Sequence, residues 1–107
     1  MIDIAIQALP NQELSIQLEE FRYVITIKET NGVMAMSVVR DDVPVVSNVR
    51  LVAGSPVLPY RYQERGNFVL TTDGDELPYY PAFGVTQFLV YLSDIELEEL
   101  RAANVNA

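Results

Sequence analysis

The chain alternates apolar and polar side chains almost from its start. Ile2, Ile4 and Ile6 interleave with Asp3, Ala5 and Gln7, and Leu14, Ile16 and Leu18 interleave with Glu13, Ser15 and Gln17. A period of two is the mark of a half-buried β-strand. Leu9-Pro10-Asn11 breaks the chain between the two runs. Strand patterns follow over residues 21–29 and 33–40, joined by Asn31-Gly32, a pair favoured in type I′ hairpins because both positions need positive φ. A two-residue loop there fixes the register: Ile27 opposite Met36, Ile25 opposite Val38, Thr26 opposite Ser37 and Lys28 opposite Ala35. Phe21, Tyr23, Ile25, Ile27, Met34, Met36 and Val38 then share one side, which a one-residue slip would scatter. Asp41-Asp42 turns the chain into a third strand, 43–52. Pro44 belongs at its start or on a sheet edge, because it has no amide hydrogen to donate. Two further strands are predicted over 67–72 and 86–92, the latter apolar on both faces and therefore central. The chain closes on a helix. Ser93 at the N-cap and Glu96 three residues on form a capping box, with Leu92 and Leu97 as a hydrophobic staple. Leu97 and Leu100 are expected to share its inward stripe, and 104–107 to fray. The predicted fold class is mainly β: a single small antiparallel β-barrel or sandwich with a β-meander and one short C-terminal helix, in one domain over 1–107.

Residues 53–84 break this pattern. They hold four of the six prolines and six of the ten aromatics. That is too apolar for a flexible linker, and it predicts an ordered excursion with a short strand near Phe68–Leu70. Within it, Pro59-Tyr60-Arg61-Tyr62 alternates ring and cation. In an extended segment Tyr60 and Tyr62 point one way and Arg61 the other. The cations do not lie among the rings, and Glu64 sits beside Arg65. Tyrosine covering core edge and a tyrosine- and arginine-rich protein interface are both compatible with the stretch; a nucleic-acid stacking platform lacks the basic groove it requires. The candidate interface residues are Tyr60, Arg61, Tyr62, Arg65, Tyr79 and Tyr80, with Arg61 the sharpest probe.

Composition narrows the chemistry. The chain has no cysteine and no histidine, which removes thiolate nucleophiles, disulfides, and the usual general base and zinc ligand. Fifteen acidic residues against seven basic ones give a net charge of −8, which opposes contact with DNA or anionic membranes. No apolar run is long enough to span a bilayer, and Met1-Ile2-Asp3-Ile4 lacks the positive start of a signal peptide. Thr71-Thr72-Asp73-Gly74-Asp75-Glu76 gathers three carboxylates around a glycine, but the alternate-position pattern of a calcium loop is missing, so a polar turn is the expectation and weak calcium binding at Asp73–Glu76 the alternative. No two of the carboxylates are marked as a facing catalytic pair. No cofactor, metal or catalytic residue is expected.

Taken in order, Ala8-Leu9-Pro10-Asn11-Gln12, Tyr23, Asn31-Gly32-Val33-Met34, Arg50-Leu51-Val52-Ala53-Gly54, Pro59-Tyr60-Arg61-Tyr62, Gly66-Asn67-Phe68, Glu76-Leu77-Pro78, Phe83-Gly84 and Leu89-Val90-Tyr91-Leu92 resemble the baseplate plug proteins of contractile-tailed bacteriophages. Two turns depart from that pattern: Glu19-Glu20 and Asp41-Asp42 stand where the family tends to use an acid or asparagine followed by glycine. The resemblance implies a β-rich structural virion protein, made in the host cytoplasm. It would close the centre of the baseplate near the junction of tube and hub. Its implied partners are other baseplate, hub and tail-tube proteins in a symmetric ring, with no direct nucleic-acid binding, no membrane insertion and no enzymatic activity. Two readings from other classes stand beside it: a small OB-like β-barrel binding module for an oligomeric ligand, and a carboxylate-dependent hydrolase.

Overall fold

The computed structural model describes residues 2–58, 66–74 and 76–105. It holds seven strands, β1 (Ile2–Ile4), β2 (Gln12–Leu18), β3 (Phe21–Thr30), β4 (Val33–Arg40), β5 (Val43–Arg50), β6 (Asn67–Thr71) and β7 (Phe88–Leu92), followed by one helix, α1 (Asp94–Val105). They form two antiparallel sheets: a four-stranded meander β2-β3-β4-β5 and a three-stranded sheet β1-β7-β6. Among the described residues neither sheet closes on itself, so the fold is a sandwich rather than a closed barrel.

The predicted hairpin register holds at every pair: Ile27 faces Met36, Ile25 faces Val38, Thr26 faces Ser37 and Lys28 faces Ala35. The turn geometry explains it. Asn31 and Gly32 both take positive φ, 51° and 81°, as a type I′ turn requires, and Gly32 N–H donates to the Glu29 carboxylate at 3.2 Å. A β-branched residue is a poor fit to this backbone. Gly32→Val is therefore expected to lower stability by about 1 kcal/mol or more, read from the denaturant midpoint; an unchanged midpoint contradicts this account of the turn.

The two turns without glycine are built differently. Asp41 and Asp42 also take positive φ, 49° and 67°. Asp41 is tied down at both ends: its amide donates to the Arg22 carbonyl at 2.8 Å, and its carboxylate accepts the Arg22 N–H at 2.8 Å. Aspartate tolerates this conformation because its short side chain can bond nearby backbone. Glu19, at φ 57°, opens the two-residue β2–β3 turn, and its carboxylate accepts the Tyr91 hydroxyl at 3.2 Å. That second tight turn brings β2 into the meander, which thus has four strands rather than the three expected.

The inner faces of the two sheets meet in one core. Tyr23, Ile25, Ile27, Met34, Met36 and Val38 from the meander pack with Phe68, Leu70, Leu89 and Tyr91 from the smaller sheet, all of them buried. Tyr23 stands edge-on to Phe68 with ring centroids 5.3 Å apart, and Tyr91 lies 5.4 Å from Phe68. Burial pushes the Tyr91 phenol far above its ordinary value, with Tyr23 and Glu19 adding to the shift. Burial likewise raises Tyr23, against the opposing influence of Arg40. Both rings are neutral packing elements. The Tyr23 hydroxyl lies in this neighbourhood without a well-formed hydrogen bond to any described residue.

Strand β7 is central, between β1 and β6, as its apolar pattern predicts. It begins two residues later than expected, and Phe88 is exposed because it stands at the strand mouth. Strand β5 stops at Arg50 rather than at residue 52. An irregularity in its pairing with β4, with Asn48 at φ 52°, twists it as an edge strand, and Pro44 lies near its start, where a missing donor is harmless. The helix carries the full capping box: Ser93 N–H donates to the Glu96 carboxylate at 3.1 Å, and Glu96 N–H to the Ser93 hydroxyl at 3.4 Å. Leu97 is buried, but Leu100 is not its inward partner. It lies at the rim of the helix–sheet contact, exposed beside a groove.

Candidate functional site

The excursion is pinned to the sandwich at two places, each by one buried amide side chain. Its first arm runs from Gly54 to Leu58 alongside β6. Gly54 N–H donates to the Leu70 carbonyl at 2.9 Å, and Val57 N–H to the Phe68 carbonyl at 2.8 Å. Where the backbone ladder would continue, Asn67 takes over. Its Oδ1 accepts Leu58 N–H at 2.8 Å and its Nδ2 donates to the Leu58 carbonyl at 3.0 Å. The same Oδ1 also accepts Phe68 N–H at 2.8 Å. Asn67 is fully buried, so these contacts satisfy groups that water does not reach. The arm also covers the outer edge of β6, which would otherwise present an unpaired ladder.

The second arm is held by Gln87, also buried. Its Nε2 donates to the Leu77 carbonyl at 2.8 Å, and its Oε1 accepts Tyr79 N–H at 2.9 Å. Between Tyr79 and Gln87 the chain makes a short 3₁₀ turn, Tyr80–Ala82, with Pro81 supplying a preset φ near its start. The Ala82 carbonyl then accepts the amides of Val85, Thr86 and Gln87, each at 3.0 Å. Gln12 repeats the device in the connection between β1 and β2, with Oε1 accepting Gln7 N–H at 2.9 Å and Nε2 donating to the Gln7 carbonyl at 2.7 Å. Three irregular segments are thus fixed by amide side chains that imitate a β-ladder.

Between the arms sits Gly66, at φ 103°, whose N–H donates to the Asp94 carboxylate at 2.9 Å. A side chain there would run into the Tyr91 hydroxyl and ring. Gly66 thus lets the chain pass over the aromatic cluster while the first turn of α1 holds its amide.

These anchors present apolar side chains to solvent. Leu77 is 78% exposed and Val85 70%, high values for residues on ordered, hydrogen-bonded backbone. Leu77 and the exposed Val52 line one shallow groove of about 370 Å³ with Arg50 and Pro78. Tyr79 and Tyr80 stack at a tilt with centroids 4.9 Å apart; Tyr79 is at the surface and Tyr80 half-buried against the core. Desolvation raises the Tyr79 phenol, and Glu29 adds to the shift. Of the predicted interface residues, Tyr79 and Tyr80 are therefore brought together beside the exposed leucine. Tyr60, Arg61, Tyr62 and Arg65 lie outside the described residues. Phe68 and Phe83 belong to the core.

The acidic stretch makes a polar turn. Asp73 N–H donates to the Glu76 carboxylate at 3.3 Å, and Gly74 takes φ 66°; Asp75 lies outside the described residues. No cluster of three or more metal-ligating side chains occurs among the described residues.

Sequence reasoning missed Asn67, Gln87 and Gln12 as anchors. Asn67 and Gln12 stand inside stretches that carry the family resemblance, in Gly66-Asn67-Phe68 and Ala8-Leu9-Pro10-Asn11-Gln12. A buried amide amid apolar neighbours was the signal available, since such a group needs partners. No curated protein matches the chain. The family model described as cyanophage baseplate Pam3 plug gp18 matches it over residues 1–94, a stretch that takes in both sheets, the excursion and all three amide anchors. The chain belongs to this family of phage baseplate plug proteins.

Proposed function

We propose that the chain seals the centre of a contractile-tail baseplate, near the junction of tail tube and hub, until infection opens it. The observation that carries this reading is the family match over residues 1–94. The protein is a structural virion component, and its work is protein–protein contact with other baseplate, hub and tail-tube proteins, arranged in a ring about the tail axis. No chemical step is part of the account.

The excursion supports the reading physically. A plug has to be rigid before it is seated, because preorganised groups lose less entropy on docking. Asn67 and Gln87 supply that rigidity at the two arms, and Leu77, Tyr79 and Val85 are the apolar groups left for a partner. The net charge of −8 suits a passage that DNA later traverses without sticking.

The contact is tested by Leu77→Asp together with the separate variant Arg61→Ala. Each is expected to leave the thermal midpoint of the isolated protein nearly unchanged and to lower incorporation into assembled tails at least about tenfold, as loss of an interface anchor does. Tails that retain both variants at full occupancy contradict the assignment of this surface.

A further inference from the structure

The two outer faces of the sandwich carry opposite charge. On the meander, Tyr23, Ile25 and Ile27 point into the core, so Arg22, Val24, Thr26 and Lys28 point out. The register extends that surface across neighbouring strands: Val24 pairs with Val39, Thr26 with Ser37, and Lys28 with Ala35, which in turn pairs with Arg50. The centre is small and weakly polar. Lys28 and Arg50 flank Ala35 in one cross-strand row, exposed and joined in no ion pair with a described carboxylate. The acid at an outward position of these strands is Glu13. The outward positions of these strands are therefore net positive on a chain of net charge −8, with Glu76 sharing the excursion groove beside Arg50 at one end.

The opposite face is α1, lying over the outer side of the smaller sheet. Ile95, Glu98, Glu99 and Ala102 are all exposed and fall at i, i+3, i+4 and i+7, on one stripe of the helix. Ile95 is 69% exposed, an apolar knob next to two carboxylates. Beside it lies a groove of about 520 Å³, with Val69, Val90 and Leu100 along it and Glu96 and Glu99 among its polar groups.

We propose that the occupant of the meander's outer face is the α1 face of a second copy of this chain, with Ile95 over the Val24–Val39–Ala35 floor and Glu98 and Glu99 against Lys28 and Arg50. The contact is heterologous, so it continues from copy to copy and either closes into a ring or extends. It deepens the plug reading and rests on it for its place in the tail. The sheet face spans about 19 Å by about 26 Å from strand spacing and rise. That is roughly 500 Å², at the small end for a specific interface, so association in isolation is weak and salt-sensitive. The screening length falls from about 10 Å at 0.1 M salt to about 3 Å at 1 M.

Sedimentation velocity of the purified chain tests this. The wild type is expected to associate with rising concentration at low salt and to lose at least about tenfold in association constant at 1 M salt. Lys28→Glu/Arg50→Glu and Glu98→Lys/Glu99→Lys are each expected to be monomeric alone. Their equimolar mixture restores association, because each reversed face then meets its complement. A wild type that stays monomeric, or two variants that associate as it does, overturns the proposal. If the charge variants also enter tails at wild-type occupancy, the self-contact fails while the plug reading survives. If wild-type chain associates but is absent from tails, the plug reading is what fails.

Discussion

Replacing Gly66 with alanine is expected to lower stability by about 2–4 kcal/mol, one of the two largest effects expected in this protein. Two independent penalties add. The residue holds φ 103°, which L side chains avoid, and the added Cβ runs into Tyr91, coming within 2.6 Å of its Cε1. Tyr91 cannot step aside, because its ring lies 5.4 Å from Phe68 and 6.1 Å from Tyr23, and its hydroxyl is bonded to Glu19. Overpacking of such a cluster costs about 1–3 kcal/mol on its own. For a domain of this size the thermal midpoint should fall by at least about 8 °C. Gly54→Ala is the control: Gly54 has a similar φ of 76° but open space around its Cβ position, so it loses the strain term alone, about 1 kcal/mol. Equal losses at the two sites would mean that the chain does not cross Tyr91 as described.

The second large effect belongs to Asn67. Asn67→Leu keeps the branched shape but leaves Leu58 N–H, the Leu58 carbonyl and Phe68 N–H without the partner that Asn67 gives them. Each buried orphan costs about 1–3 kcal/mol, so a loss of about 3 kcal/mol or more is expected from denaturant unfolding. The Leu58 amide should also exchange its hydrogen far faster in the native state. Gln12→Ala breaks a clamp of the same shape at the surface, where water replaces the lost bonds, and should cost under about 1 kcal/mol. If Asn67→Leu behaves like Gln12→Ala, the first arm is not held by this amide.

Both sites show where sequence reading stops. The hairpin was legible to the residue because two local signals agree there: Asn31-Gly32 sets the turn, and the alternation of Tyr23, Ile25 and Ile27 with Arg22, Val24 and Thr26 tolerates one register. The capping box was legible for the same reason, since Ser93 and Glu96 act within one helical turn. Strand β7 was legible from its two-sided apolar run. The anchoring of the excursion was not. Asn67 and Leu58 are nine residues apart, and a side chain acting as a ladder rung has no period to detect. Burial of Leu100 was overestimated because helical spacing places it beside Leu97 but does not say where the underlying sheet ends. The positive outer face follows from the register alone, yet the overall acidity of the chain conceals it.

The central claim is that this chain closes the tail tube at the baseplate centre. An electron cryo-microscopy map of assembled, uncontracted tails tests it most directly. The account predicts density for the two-sheet sandwich on or around the tail axis where the tube meets the hub, with the excursion turned toward a neighbouring protein. A tube end closed by other chains, with this one absent or bound at the periphery, would contradict it.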